Sequence, residues 1–437
     1  MKRTLIALSL ILSLTAVNAQ PKNAADAQKA VSKAEAAAAD AKKAEKPATW
    51  ITLAKAYIDA YDQPSRNVLA GTPQQEIKLF LKEQQILSTS EKQGAEAVYS
   101  VDSYADKDLY YNADGILEFY LVTKPAVEGD ILSKAITALE KAKAVDPKDS
   151  KAKDITAMMD DIHEKIAGEA LNEYLAGNFE KAAELFKKAA ICAQNPLLNK
   201  EDAINVYYTA LVSNMAGNKA QAIEYYNKCI AMEFYQDGNT FSNLAEAYRT
   251  SGDTDACKST LEQGFVKFPE NNGILIGLIN LYIDNQEDTG KLFELLHSAQ
   301  SLDPNNASLY YVEGNVHKQL GDFENAANLY KKSAEIDPNY VFGTLGLGVL
   351  YYDQAIDIQN RASEELDDAK YYALIQELDA TLERAIEPFE KSFAATEDND
   401  LKAAIAEYLK NIYFRLREKN PDYEALSKKY EAFLKGE

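Results

Sequence analysis

The chain is poor in the side chains that most often do chemistry. Its 437 residues include three histidines, three cysteines and a single tryptophan. His163-Glu164 opens like the zinc-binding HExxH helix, but residue 167 is Ala, so the second imidazole is missing. There is no GxSxG elbow, no phosphate-cradling GxxxxGK loop and no GxGxxG turn. Gly346 and Gly348 lie in an apolar helical stretch, where small residues serve close helix packing. Carboxylates abound, but no spacing singles out a pair. The chain is therefore expected not to be an enzyme and to hold no cofactor or metal. Cys192, Cys229 and Cys257 make an odd count without a CxxC, too few for a disulfide framework. Each falls in an apolar-periodic segment and reads as a buried small residue, with a Cys229–Cys257 bridge as the alternative.

Positive charge is also short. Lys and Arg number 47 against 68 Asp and Glu, a formal net charge of −21. Nucleic acid is an improbable partner, because binding a phosphate backbone requires clustered cations that displace counterions. Beyond the first twenty residues no segment is apolar over the ~20 residues that a membrane-spanning helix needs. In MKRTLIALSLILSLTAVNAQ, Lys2 and Arg3 precede an apolar run from Leu5 to Leu14 and a Val17-Asn18-Ala19 cleavage pattern. Residues 1–19 are expected to be a cleaved signal peptide. No cysteine adjoins the cleavage point, so no lipid anchor is expected.

What the chain has in quantity is self-similarity. AGNFEKAAELFKKAA (176–190), AGNKAQAIEYYNKCI (216–230), SGDTDACKSTLEQGF (251–265) and LGDFENAANLYKKSA (320–334) align without a gap. Pro269, Pro304 and Pro338 recur at intervals of 35 and 34 residues. Small residues such as Gly314, Ala245, Ala182 and Ala326 allow two helices to approach, and Phe186, Tyr226, Leu261 and Tyr330 fill the space beside them. Gly-Asn or Gly-Asp ends the first helix in a left-handed residue, and proline stops the second.

On these residues the chain resembles the tetratricopeptide repeat family, whose 34-residue signature runs W-x2-L-G-x2-Y, A-x3-F, P. Segment 241–269 supplies Phe241, Leu244, Ala245, Tyr248, Cys257, Leu261 and Pro269; segment 310–338 supplies Tyr310, Gly314, Ala326, Tyr330 and Pro338 and departs at Glu313 and His317. TWITLAKAY (49–57) fits the first helix through Trp50, Leu53, Ala54 and Tyr57, yet its second helix comes only at 133–149. The resemblance implies an all-α, right-handed superhelical solenoid of about seven helix hairpins with capping helices. The expected layout is an Ala-rich N-terminal helix or leader at 20–46, a split repeat at 47–147 with a Tyr-rich insertion at about 62–130, and consecutive repeats at 148–339. A second split repeat with an acidic insertion follows at 340–397, then capping helices at 398–437. Pro388, inside the second helix of that last repeat, is expected to kink it or delay its start.

Family resemblance further implies a concave surface lined by the first helix of each hairpin. The residue after the Trp equivalent, then those four and seven further on, share one helical face. Of these, Tyr207, Arg249, Tyr311, Asn315 and Lys318 are the expected partner contacts. Tyr104, Tyr110 and Tyr111 of the insertion either pack it onto the solenoid or form a second contact surface for a partner, since tyrosine gives contact area at low entropic cost. The expected function is a periplasmic scaffold or adaptor that holds a protein or peptide partner in envelope assembly or secretion. Alternatives are a soluble holdase-type chaperone and a glycan-binding module, and the oligomeric state stays open.

Overall fold

A computed structural model describes residues 22–284 and 290–436, with nineteen α-helices and four β-strands among them. The expected signal peptide at 1–19 lies outside the described residues. The chain divides after Phe234 into two units.

Unit 1 begins with α1 (Ala24–Ala39) and the short α2 (Ala41–Ala44). Asn23 caps α1 by accepting from the Asp26 N–H, and Ala27, Val31, Ala34 and Ala38 form one buried stripe. Small as they are, these residues let α1 pack on α3 (Pro47–Asp62), so the Ala-rich segment is a capping helix. In α3 the residues Leu53, Ala54 and Tyr57 are buried, and Trp50 is half-buried against the same core. Its indole N–H donates to the Ala44 carbonyl (2.8 Å), which pins the entry into the helix. The partner of α3 is α5 (Ile131–Ala144), whose Ala135, Leu139 and Ala142 are buried against it. The interrupted repeat therefore closes across the insertion.

Uninterrupted hairpins follow: α6 (Ala152–Leu175) with α7 (Phe179–Ala193), then α8 (Ala203–Met215) with α9 (Lys219–Ala231). In unit 2 they are α10 (Asn239–Ser251) with α11 (Thr254–Lys267), α12 (Asn272–Asp284) with α13 (Gly290–Leu302), α14 (Ala307–Gln319) with α15 (Phe323–Ile336), and α16 (Val341–Glu364) with α17 (Asp368–Ala395). Paired helices α18 (Asn399–Leu416) and α19 (Pro421–Lys435) end the chain. The repeated turn has one construction. Gly177 has φ of 84°, and the next N–H, Asn178, bonds back to the Glu173 carbonyl (2.9 Å), satisfying a carbonyl left open at the helix end. Asn218, Asp253 and Asp322 repeat that bond after Gly217, Gly252 and Gly321.

The acidic insertion of the last repeat is no separate element, because α16 and α17 simply lengthen and meet at a break near Glu365. Helix α17 starts well before Pro388 and runs through it, leaving the Arg384 carbonyl without its usual i+4 donor. At Gly348 a side chain would sit 2.8 Å from the Phe389 ring, so the glycine is there for close approach of the two helices.

The first insertion, whose fold the repeat pattern leaves open, adds a small sheet to the helices. After α4 (Gln74–Phe80), the strands β1 (Ser88–Gln93), β2 (Val98–Ser103), β3 (Lys107–Tyr111) and β4 (Leu117–Val122) form an antiparallel sheet in the order β1-β2-β3-β4. The Asn112–Gly115 turn joins β3 to β4, with Gly115 at φ 71° and the Asn112 side chain accepting from the Asp114 and Ile116 N–H groups (3.0 Å each). Glu118 is skipped in the register, which pairs Tyr110 with Phe119 and Tyr111 with Leu117. That bulge turns Leu117 and Phe119 to opposite faces. One face, Leu109, Tyr111 and Leu117, packs with Tyr104 against Ile77 and Leu81. The other, Tyr99, Val101, Tyr110 and Phe119, packs against Leu175 at the end of α6. Charges inside the insertion are matched: Lys107 donates to Asp106 (2.7 Å) and Gln84 (2.8 Å), and Asp102 accepts from Thr89 (2.7 Å) and Gln74 (2.8 Å). Such pairing is what makes a buried charge tolerable.

Docking is tightest at Gly94. A Cβ there would lie 2.3 Å from the Leu175 carbonyl oxygen, which also accepts from the Ala95 N–H (3.0 Å). Gly94→Ala should cost about 1–3 kcal/mol through overpacking. Hydrogen exchange of Tyr99, Tyr110 and Phe119 should accelerate while α10 to α19 keep their protection; unchanged exchange would refute tight docking. Trp50→Ala should cost about 3 kcal/mol by cavity formation. Trp50→Phe, losing only the indole hydrogen bond, should cost about 1 kcal/mol. Thermal melting of the two variants checks the order.

Candidate functional site

The expected first-helix contacts divide into packed and accessible groups. Tyr207 on α8 is buried among the rings of Tyr208, Tyr226 and Phe234, at centroid distances of 5.9, 6.0 and 5.9 Å. It is a packing residue, which corrects its assignment to a partner. On α10, Arg249 is exposed, and Nε and Nη2 both donate to the Glu246 carboxylate at 2.7 Å, so a partner would meet a neutralised pair.

Helix α14 carries the other three. Tyr311, Asn315 and Lys318 follow one another along a single face, each half-buried. The Tyr311 ring lies within 5.7–6.0 Å of Tyr330, Tyr340 and Phe342. Asn315 accepts from the Tyr330 hydroxyl (2.7 Å), and Lys318 pairs with Asp353 of α16 (2.5 Å). Side chains held this way lose little entropy on meeting a ligand.

Tyr104, Tyr110 and Tyr111 correct the contact-surface reading of the insertion outright. They are 4%, 4% and 0% exposed, so their rings build the sheet's two cores rather than a surface. The large apolar side chains that the insertion does expose are Leu69, Leu79, Phe80, Leu87, Val98 and Val122, none of them a tyrosine.

Sequence reasoning missed a cleft of 1560 Å³ in unit 1, bounded by β4, α6, α7 and the start of α5. Carboxylates dominate its walls, and each of its lysines is shared. Lys165 lies between Asp62 (2.9 Å) and Asp161 (3.3 Å), Lys181 contacts Glu173 (2.6 Å) and Glu169 (3.6 Å), and Lys188 holds Asp130 (2.6 Å). Glu164 and Glu184 pair with Lys200 (3.1 Å) and Lys187 (3.5 Å) outside the lining, and Glu96 and Glu118 complete it with no lysine pair among the described residues. Burial pushes the Asp62 and Asp161 carboxyls above the usual range, with Lys165 pulling the other way. The same burial opposes the charge on Lys165, but Asp62 and Asp161 more than offset it and raise its ammonium. The walls thus hold more negative charge than they neutralise. No short sequence pattern announces this, because the lining runs from Tyr61 to Lys188.

Catalytic chemistry finds little to work with among the described residues. Burial pushes the Cys192 thiol up to about 11 and that of Cys229 to about 12, the reverse of an activated nucleophile. Asp160, His163 and Glu164 bring potential metal-ligand atoms within 4.8 Å of one another. The Lys200 ammonium already contacts Asp160 (3.0 Å) and Glu164 (3.1 Å), and His163 Nε2 is engaged by Asp202 (2.7 Å). Asp202 also accepts from the side chain of Asn205 (2.7 Å), and against the effect of burial these bonds hold its carboxyl below the usual range. The trio is best understood as part of the α6–α8 packing.

Comparison with known proteins follows the repeat geometry. Residues 314–354 match the family model described as TPR repeat, and residues 162–271 match that of soluble NSF attachment protein, SNAP. No curated protein matches. Among solved structures, a TPR repeats protein from Bacteroides fragilis is 19% identical, with 56% of this chain and 97% of that one aligned at a TM-score of 0.24. A tetratricopeptide repeat protein from Parabacteroides merdae is 16% identical, covering 56% and 98% at 0.32. YrrB, described as a TPR protein with an unusual peptide-binding site, is 19% identical, covering 52% and 99% at 0.25. Glycine-closed hairpins recurring at the family period, together with the repeat-model match over α14 to α16, make this chain a tetratricopeptide-repeat protein.

Proposed function

We propose that the chain is a non-catalytic scaffold of the bacterial cell envelope, exported to the periplasm, where it holds protein or peptide partners during assembly or secretion. Tetratricopeptide repeats serve protein–protein interaction, and that much rests on the repeats themselves. The envelope location is supported by the basic-apolar-small pattern of residues 1–19. No helix among the described residues is long and apolar enough to cross a membrane. A single observation carries the scaffold reading furthest: the preordered face of α14, where an aromatic ring, an amide and an ammonium lie side by side. Mixed aromatic and polar surfaces of this kind suit a protein partner.

A holdase-type chaperone is the second reading, favoured by the exposed apolar side chains of Leu79 and Phe80 on α4 and Leu87 beyond it. Suppression of client aggregation at substoichiometric amounts would support it over a scaffold.

A photo-reactive residue replacing Lys318 or Asn315 should crosslink in cells to the same few envelope proteins, identified by mass spectrometry. The same residue replacing Lys331, on the exposed side of α15, should not. The mature chain should begin at Gln20 in the periplasmic fraction. Absence of a reproducible adduct would overturn the scaffold reading, and an unprocessed cytoplasmic chain would overturn the location.

A further inference from the structure

The two outer strands of the sheet are treated differently. Strand β1, STSEKQ, is exposed at every position and carries Glu91 and Lys92, the charged edge that discourages further pairing. Strand β4, LEFYLV, has no lysine and no proline. Its ladder parity follows from the bond donated by the Thr123 N–H to the Asp106 carbonyl (2.9 Å). With that register, Leu121 and Phe119 also direct their backbone groups to β3, whereas Tyr120 and Val122 direct theirs outward. At Leu117 the outer edge is already closed, since its N–H donates to Thr72 (3.0 Å) and its carbonyl accepts from Gly71 (2.7 Å). Beyond it, no backbone partner meets the outward groups of Tyr120 or Val122 among the described residues. Both residues line the acidic cleft.

An unpaired strand edge and an excess of carboxylates thus share one space. At 1560 Å³ that space exceeds the ~300–1,000 Å³ typical of small-molecule sites. It is a better fit to a short length of polypeptide. Tyr120 also lies in the field of Asp62 and Glu169, with Lys165 the opposing charge.

We propose that this cleft takes an extended, lysine- or arginine-bearing segment of another protein, which adds to β4 as a fifth strand. The backbone groups of Tyr120 and Val122 supply the pairing, and Glu96 and Glu118, which no lysine pairs among the described residues, meet the cationic side chains. Strand addition obtains affinity from the main chain and specificity from the flanking side chains, so a sequence-tolerant but charge-selective site is the expected character. The inference deepens the scaffold reading by naming a ligand class, but it depends on neither the face of α14 nor the envelope location.

The test uses the full mature chain and a fluorescent ten-residue peptide of alternating lysine and valine, followed by anisotropy at two salt concentrations. Saturable binding that weakens as salt rises is expected. Replacing every lysine of the peptide by glutamate should abolish it, as should N-methylation of alternate backbone amides. Val122→Pro removes one outward N–H at an edge position where proline is tolerated, so the sheet should survive while affinity falls at least tenfold. Glu96→Gln with Glu118→Gln should weaken binding to a similar degree, whereas Lys331→Glu on the exposed side of α15 should leave it unchanged. Equal binding of the acidic peptide, indifference to N-methylation, or indifference to Val122→Pro with hydrogen exchange showing an intact sheet would each overturn the proposal. So would peptide-free dimerisation that Val122→Pro abolishes, because the edge would then belong to a second copy. Failure here leaves the crosslinking pattern of α14 untouched, so the two readings fail separately.

Discussion

A pair of short helices cannot cover both of its own flanks, so within each unit a hairpin depends on its neighbour for part of its core. Close approach within each pair is what makes that dependence effective. Gly314 lies where a side chain would strike the Tyr330 ring at 2.7 Å, and Gly348 does the same opposite Phe389. The rings that fill these gaps are also those that order the accessible surface: Tyr330 is buried against Gly314 while its hydroxyl fixes Asn315. Packing and presentation are therefore one arrangement, and the face of α14 is stiff because the core beneath it is.

Much of this was legible in the sequence, since a repeat states its own period and its own exceptions. The glycine turns, the proline stops and the late arrival of the second helix after TWITLAKAY all survive in the coordinates as φ angles, hydrogen bonds and the α3–α5 pair. The inner strand β3 was not legible by periodicity because both of its faces are covered. Leu109, Tyr110 and Tyr111 are consecutive and all buried, which erases the alternation that marks a half-exposed strand. A turn signal was present in Asn112-Ala113-Asp114-Gly115, flanked by tyrosines and aliphatics, and would have found the β3–β4 hairpin. The tyrosine content was noticed, but only its burial decides between packing and contact.

Site residues followed the same division. Periodicity places Tyr311, Asn315 and Lys318 on one face because a helix determines its own geometry. It cannot say that Tyr207 sits under Phe234 or that Arg249 is neutralised by Glu246, which depend on neighbours. The acidic cleft lies further still from sequence-level inference. Its walls come from α3, the sheet, α5, α6 and α7, and its charge emerges only when those elements meet.

The interrupted first repeat has a consequence for the order in which structure can form. A chain emerges N-terminus first, and α3 is complete at Asp62 while its partner does not begin until Ile131. Later hairpins such as α8 and α9 close over a few residues and fold from local contacts, which are fast. Until α5 arrives, Leu53, Ala54 and Tyr57 have only the alanine stripe of α1 to cover them. In that interval the N-terminal portion is an exposed apolar helix pair, open to whatever chaperone attends the growing chain. The first repeat is thus the one whose closure waits longest for its second helix.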